Sequence, residues 1–136
     1  MTPETFKNRW SPDELNPWMA YDPVELEKSP LQPETKTFLK YGFPLDAAPC
    51  LRFIWENTSL YDFYKRDVED IDEDTKNYSY LGSDGEGNPI CFDLLNKDRV
   101  ILLDHEMGFE IMDVLNNSIE ELAHCLLIYK DFFKKI

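Results

Sequence analysis

The chain has 136 residues, 43% of them hydrophobic, with nine Phe, seven Tyr and three Trp. One domain over residues 1–136 with a substantial core is expected, and that aromatic content excludes wholesale disorder. Fourteen basic against 27 acidic side chains give a formal charge of −13, which repels nucleic-acid phosphates and anionic membranes, speeds encounter with a basic partner, and helps keep a protein soluble.

The opening "MTPETFKNRW" has no apolar stretch of a signal peptide, and no apolar run reaches the roughly 18 residues of a membrane span, so a soluble cytoplasmic protein is expected. The proline-rich first third reads as short helices. "SPDEL" offers Ser11 as an N-cap with Pro12 at the first helical position. "QPETKTFLKYGFP" is a firmer helix: Pro33 starts it, Phe38, Leu39 and Tyr41 supply apolar contacts, Gly42 closes it, and Pro44 prevents continuation.

From Leu51 the period changes. Leu51, Phe53 and Trp55 alternate with Arg52 and Glu56 in "LRFIWE", which predicts a strand. "DVEDIDEDTK" follows as a solvated loop or short exposed helix. "NYSYL", "PICFDLL" and "RVILLD" then predict an antiparallel meander, with "FEIMDVL" a weaker strand candidate. In the last element Ser118 and Glu121 have capping-box spacing. Ile119, Leu122, Leu126, Tyr129 and Phe133 form an apolar stripe, and Lys134 and Lys135 suit the negative end of the helix dipole. The expected fold class is α+β: short N-terminal helices, an antiparallel sheet of about four to six strands, and a C-terminal helix packed on the sheet.

The glycine-rich stretch "YLGSDGEGNPICFDL" invites a ligand-binding reading, which its residues refuse. As a calcium loop starting at Asp84 it would place Pro89 where a glycine is needed and Leu95 where a bidentate Glu is needed. As a phosphate cradle its glycines, Gly82, Gly85 and Gly87, have the wrong order, and Asp84 and Glu86 would repel the anion. A turn between strands remains, with Asn88-Pro89 starting the second. The three cysteines, Cys50, Cys91 and Cys125, are odd in number and lack Cys-x-x-Cys spacing, which predicts reduced core thiols. His124 and Cys125 are adjacent in a helix and point about 100° apart, so they form no nucleophile pair by themselves. A tertiary pairing of Cys91 with His105 stays open beside the reading of a core thiol and a surface imidazole. No catalytic, cofactor or metal constellation emerges.

Taken in order, "FLKYGFP", "YLGSDGEGNPICFDL", "LLDHE" and "NNSIEELAHCLLIY" resemble the SUKH superfamily, which takes in a yeast regulator of cell-wall synthesis and many bacterial immunity proteins of polymorphic toxin systems. The resemblance runs from about Phe38 to Tyr129 and more loosely back to Trp10; the motifs are short, and their order and spacing carry the match. The acidic insert at residues 67 to 74 has no counterpart in it. What the resemblance implies is an α+β domain with no enzymatic role that binds a cognate toxin domain, often a nuclease, and blocks it. A scaffold or regulatory module related to cell-wall synthesis control is the alternative. Basic toxin surfaces then select the acidic patch Asp67, Glu69, Asp70, Asp72, Glu73 and Asp74 as the electrostatic partner site, with Tyr61, Phe63 and Tyr64 as aromatic anchors. Asp84 and Glu86 could add a rim of contacts. The competing reading makes the acids a solvated loop and the aromatics core.

Overall fold

A computed structural model describes the backbone from Met1 to Lys134 and the side chains as far as Phe132. The fold is α+β. Helices α1 (Pro3–Trp10), α2 (Pro23–Lys28) and α3 (Pro33–Leu39) come first, with strands β1 (Trp18–Met19) and β2 (Phe43–Pro44) pairing as a small antiparallel sheet. A second antiparallel sheet then runs in sequential order through β3 (Asp46–Ala47), β4 (Leu51–Phe53), β5 (Tyr78–Ser83), β6 (Pro89–Asp93), β7 (Arg99–Asp104) and β8 (Glu110–Asn116). Between β4 and β5 the chain leaves the sheet to form α4 (Leu60–Tyr64) and a 3-10 helix (Glu73–Asn77), and α5 (Ile119–Lys134) ends the described fold.

Alternate residues of the central strands feed two separate cores, as the period-2 geometry of a strand requires. Leu81, Ile90, Phe92 and Val100 face the larger one, which contains Ile119, Leu122, Ala123, Leu126 and Leu127 of α5 and the apolar residues of α1 to α3. Tyr80, Cys91, Ile101 and Leu103 face the smaller one, closed by Leu60 and Phe109 with Tyr64, Val68 and Ile71 packed against it. Phe6 is the hub of the first core: its ring lies 5.4–5.9 Å from those of Trp10, Trp18, Phe38 and Phe43. Lys130 of α5 reinforces the joint with α1, donating to the Trp10 carbonyl and lying 4.4 Å above its ring.

The glycine-rich stretch is the β5–β6 turn. Gly87 takes a φ of +86°, a conformation that strains other residues. Gly82 serves differently: a Cβ there would sit 2.1 Å from the Arg52 carbonyl oxygen, so its absence lets β4 approach β5.

Several expectations are corrected. No helix begins at Ser11. The same Thr/Ser-Pro-acid chemistry acts nine residues earlier, where Thr2 caps α1 with Pro3 in its first turn, and Ser11 instead ends that helix in the left-handed region at φ 54°. The "LRFIWE" strand stops at Phe53, whereas the weaker candidate "FEIMDVL" is a full edge strand, Glu110–Asn116. Tyr129 does not belong to the buried stripe of α5; it is 40% exposed, and Ala123 and Leu127 take its place. Tyr41 is likewise exposed, donating its hydroxyl to Glu4 at 2.9 Å. All three cysteines are free, but only Cys91 is a core thiol; Cys50 and Cys125 are exposed. The expected contacts of Phe133 and the dipole pairing of Lys134 and Lys135 lie outside the described residues.

Asp98 locks the N-terminal helices to the sheet. Its Oδ2 accepts the Gln32 N–H at 2.6 Å and the Thr35 hydroxyl at 2.7 Å, at the start of α3. Oδ1 is buried without a partner. Burial holds the carboxyl above its ordinary pKa, opposed by those two bonds and aided by Glu34 and Asp93. A raised carboxyl destabilises the folded state at neutral pH, and the penalty fades as pH falls toward the unfolded value near about 4. Asp98→Asn, which suits the φ of 59° at this position, is therefore expected to melt above the parent at pH 7, with the two curves converging below about pH 4. Phe6→Ala removes the aromatic hub and is expected to cost about 3–5 kcal/mol, read from urea denaturation.

Candidate partner-binding surface

Residues 59 to 77, between β4 and β5, form a lid over the second face of the sheet through Leu60, Tyr64, Val68 and Ile71. Ser59 starts α4, its Oγ accepting the Asp62 N–H at 3.1 Å, and pairs with Ser79 of β5 through a backbone bridge. Leu60 drops into the core while the ring of Tyr64 packs 4.9 Å from Phe109. Phe63 lies flat on Tyr80, ring centroids 4.0 Å and planes 9° apart, and remains 38% exposed. Tyr61 is half-buried under the ammonium of Lys76, 4.6 Å from its ring.

The acidic segment is held down from within. Val68 and Ile71 sit among the carboxylates and point into the second core. Asp70 turns the chain at φ 55°. Asp72 then caps the 3-10 helix through Oδ1 on the Asp74 N–H at 2.8 Å, and the buried Thr75 hydroxyl donates to the Asp72 carbonyl at 2.5 Å. Asp67, Glu69, Asp70, Asp72, Glu73 and Asp74 all keep exposed side chains. Two local ion pairs lie beside them, Lys65 to Asp62 at 3.0 Å and Lys76 to Glu73. The hydrogen bond from Lys65 holds the Asp62 carboxyl below the usual range, and that to Glu73 raises Lys76. Seven carboxylates against three bases still leave four net negative charges between Asp62 and Lys76.

Next to the acids lies a hollow of about 300 Å³ lined by Asp72, Asp74, Tyr78, Phe109, Glu110 and Ile111. Burial, then the carboxylates of Asp93, Asp74 and Asp72, push the Tyr78 hydroxyl above its ordinary value. Carboxylates beside an aromatic ring can receive a guanidinium or ammonium group. Tyr78, Phe109, Glu110 and Ile111 were not apparent as site residues from the sequence, because they enter from β5, from the turn before β8 and from the start of β8.

Asp84 and Glu86 do not join this surface. They follow β5, whereas the acidic segment precedes it, and the six-residue strand separates them by about 17 Å. Asp84 is committed to its own turn: Oδ1 accepts the Glu86 and Asn88 N–H groups at 2.9 Å each, and Oδ2 accepts the Asn88 amide at 3.0 Å. Burial opposes its ionisation, but these bonds prevail and hold its pKa below the usual carboxylate range. His105 bonds Asn88 through Nδ1 at 2.6 Å. The Cys91 thiol is sealed in the second core, where burial pushes its pKa well up. Among the described residues no hydrogen bond joins the two, so the open Cys91–His105 pairing is not formed.

If Val68 and Ile71 are what orders the acidic segment, V68A/I71A is expected to cost about 1–2 kcal/mol and to raise amide exchange across residues 65 to 77 before β6 and β7 respond. Unchanged protection there would show the segment is held by other contacts. In comparisons with known proteins, no family model, no curated protein and no solved structure matches this chain.

Proposed function

We propose that the chain is a non-enzymatic immunity protein that works in the cytoplasm by binding a basic toxin domain, of nuclease type, and occluding its active surface. One observation carries the reading: an ordered acidic segment directly following a helix that leaves an aromatic shelf, Phe63 on Tyr80, exposed. Such a face offers both things that tight recognition of a basic protein needs. The carboxylates raise the association rate through long-range attraction. The Phe63 shelf supplies an apolar anchor, and the hollow beside the acids a place where an arginine or lysine of the partner can sit against Tyr78 between carboxylates. Net charge adds to this, since a surface at −13 competes with nucleic acid for a phosphate-gripping cleft. The order of the short motifs, as in SUKH proteins, points the same way.

The experiment is affinity capture of the tagged protein from its native lysate at low salt, followed by kinetics with the captured domain. A basic domain whose hydrolytic activity disappears on stoichiometric addition is the expected result. Replacing Asp67, Glu69, Asp70, Asp72, Glu73 and Asp74 by their amides is expected to slow association about tenfold or more at low salt, with the difference closing as salt rises. Phe63→Ala is expected to act on dissociation instead, and to weaken binding by about 2 kcal/mol or more. Capture of a cell-wall or signalling protein that is not inhibited would favour the regulatory alternative, and on-rates indifferent to the six amides would remove the acidic face from the mechanism.

A further inference from the structure

One groove runs against the charge of the rest of the molecule. Between α2 and α3 lies a depression of about 630 Å³ whose rim carries Lys28, Lys36 and Lys40. Five bases elsewhere are matched to carboxylates: Arg9 to Asp131, Arg52 to Asp46, Lys65 to Asp62, Lys76 to Glu73 and Arg99 to Asp93. Among the described residues Lys7, Arg66 and Lys97 are not, but they line no groove with another lysine. Lys28 and Lys40 have no such partner among the described residues. Lys36 donates to the Glu27 backbone carbonyl at 2.8 Å, which fixes its stem across the groove and leaves two of its protons for a ligand. Glu27 is the acid on this rim. The floor is apolar: Leu26 is buried beneath it, and Val24 is 56% exposed beside it. In a chain with 27 acids, three lysines gathered around an apolar floor with a single acid make a local positive patch against the net charge.

We propose that this groove docks a short acidic segment of a partner protein, with carboxylates meeting Lys28 and Lys40 and an aliphatic side chain lying over Val24 and Leu26. Charge complementarity selects the occupant, and the surroundings limit its size. A long polyanion would extend from the lysines onto a surface that is negative overall and be repelled there. A short segment confines its charge to the groove. Lysine stems flanking the anchor add apolar contact. The site shares no residue with the acidic face, so it stands or falls independently of the toxin reading.

The test uses the full chain and a synthetic peptide alternating glutamate and leucine, labelled with a neutral coumarin and titrated by fluorescence anisotropy at low salt. Saturable binding is expected that weakens with added salt, and weakens about fivefold or more in K28Q/K40Q. Val24→Asp is expected to weaken it similarly by adding a like charge to the floor. These side chains are exposed and make no ion pair, so far-UV circular dichroism of the variants should match the parent, and K28R/K40R should retain binding. Absence of saturation, equal binding of the glutamine-leucine peptide, or K28Q/K40Q titrating like the parent would each overturn the proposal. So would tighter binding of a single-stranded oligonucleotide than of the acidic peptide.

Discussion

Strand β6 is buried at each of its five positions. A strand with no solvent face obliges its sheet to be covered twice, and much of the molecule follows from how the second cover is made. The first is conventional: α5 and the N-terminal helices bring enough leucine and aromatic surface to close one face. The second comes mainly from a short excursion between β4 and β5, with Phe109 of the β7–β8 turn beside it. That excursion contains the most acidic run of the chain. Carboxylates cannot enter a core unpaired, so the segment alternates functions residue by residue, turning Val68 and Ile71 inward and the acids outward. The acidic face is therefore rigid because it is the outer surface of a structural lid.

This arrangement also separates what could be read in the sequence from what could not. The meander, the α3 helix and the capped start of α5 were legible because their signals are local: alternating or continuous apolar runs with turns between them, and a cap followed by an apolar stripe. The helix expected at Ser11 failed because two Thr/Ser-Pro-acid starts lie nine residues apart, and only tertiary packing of Phe6 and Trp10 decides between them. Strand β8 read weakly because it is an edge strand with exposed Ile111, Met112 and Val114; its pairing with β7 is interrupted by two register shifts that spoil its period. In the site, Tyr61 is linked to the acidic segment through Lys76, which also pairs with Glu73, whereas Tyr64 packs on the second core. Val68 and Ile71, three positions apart among acids, were the available sign that this run is anchored. Asp84 and Glu86 misled because charge alone does not say which end of a strand a turn occupies.

Both sides of the competing reading of the aromatics hold, on different atoms. Leu60 and Tyr64 belong to the second core, yet Phe63 uses one face of its ring for Tyr80 and leaves the other to solvent. A ring supported by a parallel neighbour keeps few rotamers, so a partner that covers it loses little side-chain entropy. The rigid lid beneath works in the same direction for the backbone.

The charge distribution sharpens rather than blurs such selectivity. A field of uniform sign acts at distances comparable to the Debye length, about 8–10 Å at physiological salt, and so filters which molecules approach. Contacts within a few ångströms then decide which remain. On the acidic face both scales favour a cation, and encounter and retention reinforce one another. At the α2–α3 groove they oppose: the far field repels anions while Lys28, Lys36 and Lys40 attract them at contact. A site of that kind discriminates by the extent of a ligand's charge, because only an anion small enough to stay within reach of the lysines escapes the surrounding repulsion. Opposite sites on one small chain can therefore differ in kinetics as well as in sign, the first fast and salt-sensitive in its association, the second dependent on close fit.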